Sequence, residues 1–126
     1  MDKAKLLPAE LTEKEYLDAE EICIDLAKKY STPKVHIYIG IIEETNERVV
    51  GYLKDPTYIQ KVVAMDKINS VGMFMAAEEL REALTLKDES DERTYSTSPS
   101  CDGFRLGMAG VCMTMIDVIK NSFKKK

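Results

Sequence analysis

The stretch KVHIYIGIIEETNERVVGYLKDPT, Lys34 to Thr57, decides the fold. Its first part, Lys34 to Ile42, is dominated by branched and aromatic residues and reads as a strand. Val35, Ile37, Ile39 and Ile41 fall on one face, and His36, Tyr38, Gly40 and Ile42 on the other. Both faces are largely apolar, so both need a cover. Glu43 to Glu47 is a polar turn, RVVGYLK is a second strand, and the short connection predicts an antiparallel hairpin. The hairpin then stops at a junction. Proline pushes the preceding Asp55 out of helical geometry. Pro56 itself cannot donate to a ladder, and the Thr57 hydroxyl is placed to cap a helix. No glycine-rich turn follows, which argues against a phosphate grip and leaves Lys54 and Asp55 as remote contact candidates. A two-stranded hairpin is marginal alone. It must pack on helices or pair with another chain, and its edges are expected to be open for that.

On the N-terminal side, residues 1–11 read as an arm, with Pro8 tolerated just ahead of a helix. Thr12 and Glu15 make a capping box, which predicts a helix from Glu13 to Tyr30. Tyr16, Ala19, Ile22, Cys23, Leu26 and Tyr30 form its apolar stripe, and Lys28 and Lys29 suit the negative end of its dipole. On the C-terminal side, Thr57 to about Asn69 reads as a short helix with Ile59, Val62 and Val63 apolar, broken at Ser70 and Val71. Met73 to Leu84 is a further helix. Its stripe is Phe74, Ala77, Leu80, Ala83 and Leu84, with Glu78, Arg81 and Glu82 expected in solvent. Lys87 to Gly103 is a long polar loop, either mobile or functional. From Asp102, taken as its N-cap, a final helix runs to about Phe123 and is apolar on several faces, so it is expected to be central.

The chemistry-bearing residues are sparse. A net charge of −4 argues against a nucleic-acid binder, and Lys124 to Lys126 read as a solvated tip. The chain starts without the apolar run of a signal peptide, and its longest apolar segment, Leu106 to Ile119, is too broken to span a bilayer. Three scattered cysteines, Cys23, Cys101 and Cys112, fit a reducing compartment rather than a disulfide framework. His36 is the lone histidine, and spacing names no partner for it, so neither a catalytic base nor a zinc site is supported. The acidic run Asp88, Glu89, Asp91, Glu92 lacks the turning glycine and closing glutamate of a calcium loop. Cys101 sits near a helix start, but the adjacent Asp102 opposes thiolate formation. Gly103, Gly107 and Gly110 lie inside the last helix and suggest close helix–helix contact. Met65, Met73, Met75, Met108, Met113 and Met115 either fill the core or line a groove that adapts to apolar partners.

The layout of hairpin, YLKDPT junction, helix, acidic EELREALTLKDESDER segment and final apolar helix resembles small proteins of phage and prophage tail gene modules. Those are similar to tail assembly chaperones. The resemblance covers about residues 35–119 and rests most on Tyr52 to Thr57, a tyrosine–leucine–lysine–x–proline–Ser/Thr junction; residues 1–30 are not part of the pattern. It implies a non-enzymatic protein in the bacterial host cytoplasm or the virion. Such a protein binds an apolar helical partner, such as a tape measure protein or another tail component. A virion structural subunit is the alternative within that class. A pocketed enzyme or ligand-binding domain using Tyr38, Tyr52, His36 or Cys101 is the alternative outside it.

The reading is therefore one α+β domain, mostly helical, with an antiparallel β-hairpin packed against about four helices. Candidate partner-binding residues are Met73, Met75, Met108, Met113, Met115, Ile39, Val50 and Tyr52. Self-association through the hairpin edge is also expected. No cofactor, metal, nucleic acid or membrane is implied.

Overall fold

A computed structural model describes residues 11–124. The rest of the expected arm, with Pro8, and the tip residues Lys125 and Lys126 lie outside the described residues. The fold is α+β and mostly helical: α1 (Glu13–Lys29), β1 (Val35–Ile42), β2 (Glu47–Lys54), α2 (Tyr58–Val71), α3 (Met73–Leu84) and α4 (Asp102–Lys124). Two 3-10 turns, Glu92–Thr94 and Pro99–Cys101, lie between α3 and α4.

Local chemistry sets most of these boundaries. Thr12 and Glu15 close the expected capping box on α1. Thr57 caps α2, and Gln60 completes a second box, its side chain accepting from the Thr57 N–H at 2.8 Å. α2 runs on to Val71, and the break falls at Gly72, whose φ of 98° is readily open to glycine. Asp102, expected as the N-cap of α4, has helical dihedrals itself and pairs with Arg105 at 2.7 Å. The helix is fed directly from the Pro99–Cys101 turn.

β1 and β2 form an antiparallel pair in which Val35 faces Lys54 and Ile42 faces Glu47. Both faces are covered, as their composition requires. Tyr38, Val49 and Leu53 enter the main core with α3 and α4, alongside Leu80, Leu84, Met108, Cys112 and Ile116. Val35 and Tyr52 enter a smaller cluster with Leu26 of α1 and Leu86, and Ile37, Val50 and Cys23 pack against it. Burying one such aliphatic or aromatic side chain contributes about 1.5–3 kcal/mol, so the main core carries most of the stability. α4 is central, packing against α2, α3, β1 and both 3-10 turns.

Several expectations change. The edge of β2 is not open. Leu86 N–H donates to Tyr52 O (2.9 Å), Asp91 N–H to Val50 O (2.8 Å), and Tyr52 N–H to Ser90 Oγ (2.9 Å). Residues 85–91 thus run as a strap along that edge. The polar loop is tied down further: Glu89 accepts from Lys29 and Tyr30, both at 2.7 Å, and Arg93 bridges Asp91 and Glu47. Arg81 is buried at 6% exposure rather than solvated, because Glu78 takes its guanidinium in a two-pronged pair at 2.8 and 2.6 Å. On α2, Ile59, Val62 and Val63 are exposed, and Ala64 is the buried position. Phe74 is 73% exposed, and on α1 Tyr16 and Ile22 face outward while Leu26 is buried. Gly107 meets the Tyr38 ring of β1, not another helix.

Candidate functional site: a groove at the strand-to-helix hinge

The YLKDPT junction turns the chain beside β1. The Asp55 N–H donates to Lys34 O at 3.1 Å and lies 3.3 Å from Thr32 Oγ1. Pro56 is buried, and the capped start of α2 follows at once. The outward turn of α2 leaves a hollow of about 620 Å³ between its first two turns, the start of β1 and the C-terminal half of α4. Tyr58, Val62, Val111, Met115, Val118 and Ile119 supply its apolar wall, and Lys34, His36, Asp55 and Lys61 its polar rim. Tyr58 (77% exposed), Val62 (42%) and Val118 (61%) are large apolar side chains left in solvent around it. A second hollow, of about 490 Å³, continues past Lys34, His36 and Val111 along β1 toward α1.

One polar constellation faces the first hollow. His36 Nε2 lies 2.8 Å from Asp55 Oδ1, with both side chains about a quarter exposed or less. Spacing along the chain names no partner for His36; the hairpin register does. Once His36 faces Leu53, Asp55 is its diagonal neighbour, two residues on. Besides the Tyr58 phenol, the wall also holds two aliphatic hydroxyls. Thr114 Oγ1 donates to Gly110 O (3.3 Å) and Ser122 Oγ to Val118 O (3.1 Å), so each is committed to a carbonyl of its own helix. The His–Asp pair can relay a proton or clamp the hinge, and these hydroxyls are not arranged as a nucleophile for it.

The expected partner-binding residues are dispersed. Met108 and Met115 are buried in the main core, and Met73 and Met113 pack against it. Met75 is 53% exposed. Ile39 (8% exposed) and Tyr52 (9%) are buried, and Val50 packs against the α1 cluster. Met115 is the one of these eight that also lines the 620 Å³ hollow. Tyr58, Val62 and Val118, exposed apolar residues of the hollow, were not among the candidates. For Tyr58 and Val62 the signal is the apolar content of α2, which is too widely spread around the helix for one buried stripe and leaves Ile59 and Val63 exposed as well; Val118 lies on α4. Cys101 and Cys112 are core residues and Cys23 is half-buried against the α1 cluster: burial pushes the Cys112 thiol up to about 12 and raises that of Cys23. Among the described residues, no group of three or more His, Cys, Asp or Glu side chains is placed to hold a metal, and no helix is long and apolar enough to cross a membrane.

Comparison with protein-family models finds no match. Neither the curated proteins nor the solved structures contain a match to the chain.

Proposed function

We propose that the protein is a non-enzymatic binding module that receives an apolar helix of a partner protein in the hinge groove. The supporting observation is the groove itself, with Tyr58, Val62 and Val118 exposed around about 620 Å³ of apolar hollow. Such a groove suits a helix that presents anchors at positions i, i+3 or i+4 and i+7. The layout likeness to tail assembly chaperones makes a tape measure protein or another tail component the partner of choice, with a virion subunit role as the variant of the same reading.

The test is capture of a co-expressed tape measure protein from the same gene module. Val62→Asp and Val118→Asp change exposed positions, so melting should shift little while capture falls at least about tenfold, as expected for anchors that lose burial. Unchanged capture by both variants sinks the reading. His36→Ala should leave capture intact.

The His36–Asp55 pair favours a second reading, a small-ligand or proton-transfer site in the same groove. Loss of function in a folded His36→Ala variant would select it.

A further inference from the structure

We propose that β1 is a dimer seam, pairing antiparallel with β1 of a second copy of this chain. This surface lies beyond the hinge groove, and the inference does not depend on the helix-binding reading.

The backbone states which way the free groups of β1 point. Tyr52 and Val50 use their outward groups on the strap, so their cross-strand neighbours Ile37 and Ile39 direct N–H and C=O away from β2. Among the described residues, nothing pairs with the outward backbone groups of Ile37, Ile39 and Ile41. The two edges of the hairpin therefore differ. β2 carries Glu47, Arg48 and Lys54 and is covered by the strap; β1 meets no cover of its edge among the described residues and has no Asp, Glu, Lys, Arg or proline from Val35 to Ile42. An edge without those charged residues, a proline or a cover invites another strand.

Charge identifies the strand that fits. β1 is bounded by Lys34 at one end and by Glu43 and Glu44 at the other. Antiparallel self-pairing lays the basic end of each copy against the acidic end of the other, at both ends of the seam. Parallel pairing would align like charges. In the register centred on Ile39, Ile37 meets the partner's Ile41, and Lys34 lies opposite the partner's Glu44. Branched side chains meeting across the strands add to such pairing.

Gly110 supports the same seam independently. On α4, Gly107 faces the Tyr38 ring of β1 and Met108 faces Gly51 of β2. At 3.6 residues per turn, Gly110 lies on the other side of Gly107 from Met108, over the space beyond the β1 edge. The other glycines that the hairpin brings near α4 have a neighbour where a Cβ would go: Gly40 and Gly107 meet Tyr38, and Gly51 meets Met108. Gly110 is exposed in mid-helix, with nothing within 4 Å of a Cβ. Helices disfavour such a glycine. Its place is explained if a second copy passes beneath it.

Sedimentation equilibrium of the chain alone should give twice its 14.3 kDa mass. Lys34→Glu puts like charges together at both ends of the homodimer, and so does the pair Glu43→Lys and Glu44→Lys. Each variant alone should dimerise about tenfold more weakly or worse, and the two mixed should pair with each other, because both ends are then complementary. Gly110→Leu should weaken the dimer while leaving helix content undiminished. In the dimer, the amides of Ile37, Ile39 and Ile41 should be protected from exchange, and that protection should vanish on dilution to monomer. The proposal is overturned by a chain that stays monomeric at every accessible concentration. It is also overturned by variants as tight as wild type, by a mixture that pairs no better than its parts, or by amide protection that persists in the monomer.

Discussion

The sheet meets α4 through residues with little room to change. Tyr38 is 1% exposed, its phenol pushed up to about 12 by burial, and its ring occupies the space that a side chain at Gly107 would need. Gly107→Ala removes a glycine penalty of about 1 kcal/mol but forces an aromatic ring out of a packed site, which costs about 1–3 kcal/mol. We therefore expect a net loss, read as a lower urea midpoint with an unchanged slope. No spacing rule reveals this need, since it arises from a residue 69 positions away in the chain. Arg81 shows the same limit. Its place on α3, off the apolar stripe, predicts solvent, yet the turn-to-turn pair with Glu78 lets the guanidinium be buried.

At the level of elements, the legible parts are those with local causes. Thr12 and Glu15, the Asp55–Pro56–Thr57 junction and the short polar turn mark their boundaries within a few residues. The strap was not legible, because its bonds to Tyr52 and Val50 are made by backbone groups that every residue carries. Its side chains give it a pH signature. Arg93 hydrogen-bonds Asp91 and Glu47 and lowers both carboxyls, while Lys29 and Tyr30 do the same for Glu89. A lowered folded-state value means that this stabilisation is complete above the ordinary carboxylate range and is lost as pH falls through the depressed values. Melting temperature should therefore drop as pH is taken from about 5 to about 2. Arg93→Met should flatten that drop; an equally steep profile in the variant would remove the strap as its source.

Across the whole molecule, the two clusters on opposite faces of the hairpin are unequal. α1 is held by Leu26 and its few neighbours, and by Glu89 at its last turn, whereas α3 and α4 share the main core. Amide exchange should show α1 opening before α3 and α4, with protection lower by at least about tenfold. Uniform protection across all the helices would show that the clusters open as one. The α+β class and the hairpin were readable because alternating and 3.6-residue patterns report how many faces each element hides. The groove was not, because the apolar residues of α2 are spread around the helix, and packing alone decides that Tyr58 and Val62 stay exposed. His36 and Asp55 likewise become neighbours only through the register.

The strap also orders events at the ribosome. β1 and β2 emerge as a pair, but the cover of the β2 edge, residues 85–91, is still to be synthesised. At roughly 5–20 residues per second, that interval is on the order of a few seconds. During it the β2 edge of the nascent hairpin lacks its strap, and neighbouring nascent chains on a polysome display the same strand. Crowded translation of this chain is thus the moment of greatest exposure to strand-swapped misassembly, and slower initiation, which spaces the ribosomes apart, should raise its soluble yield.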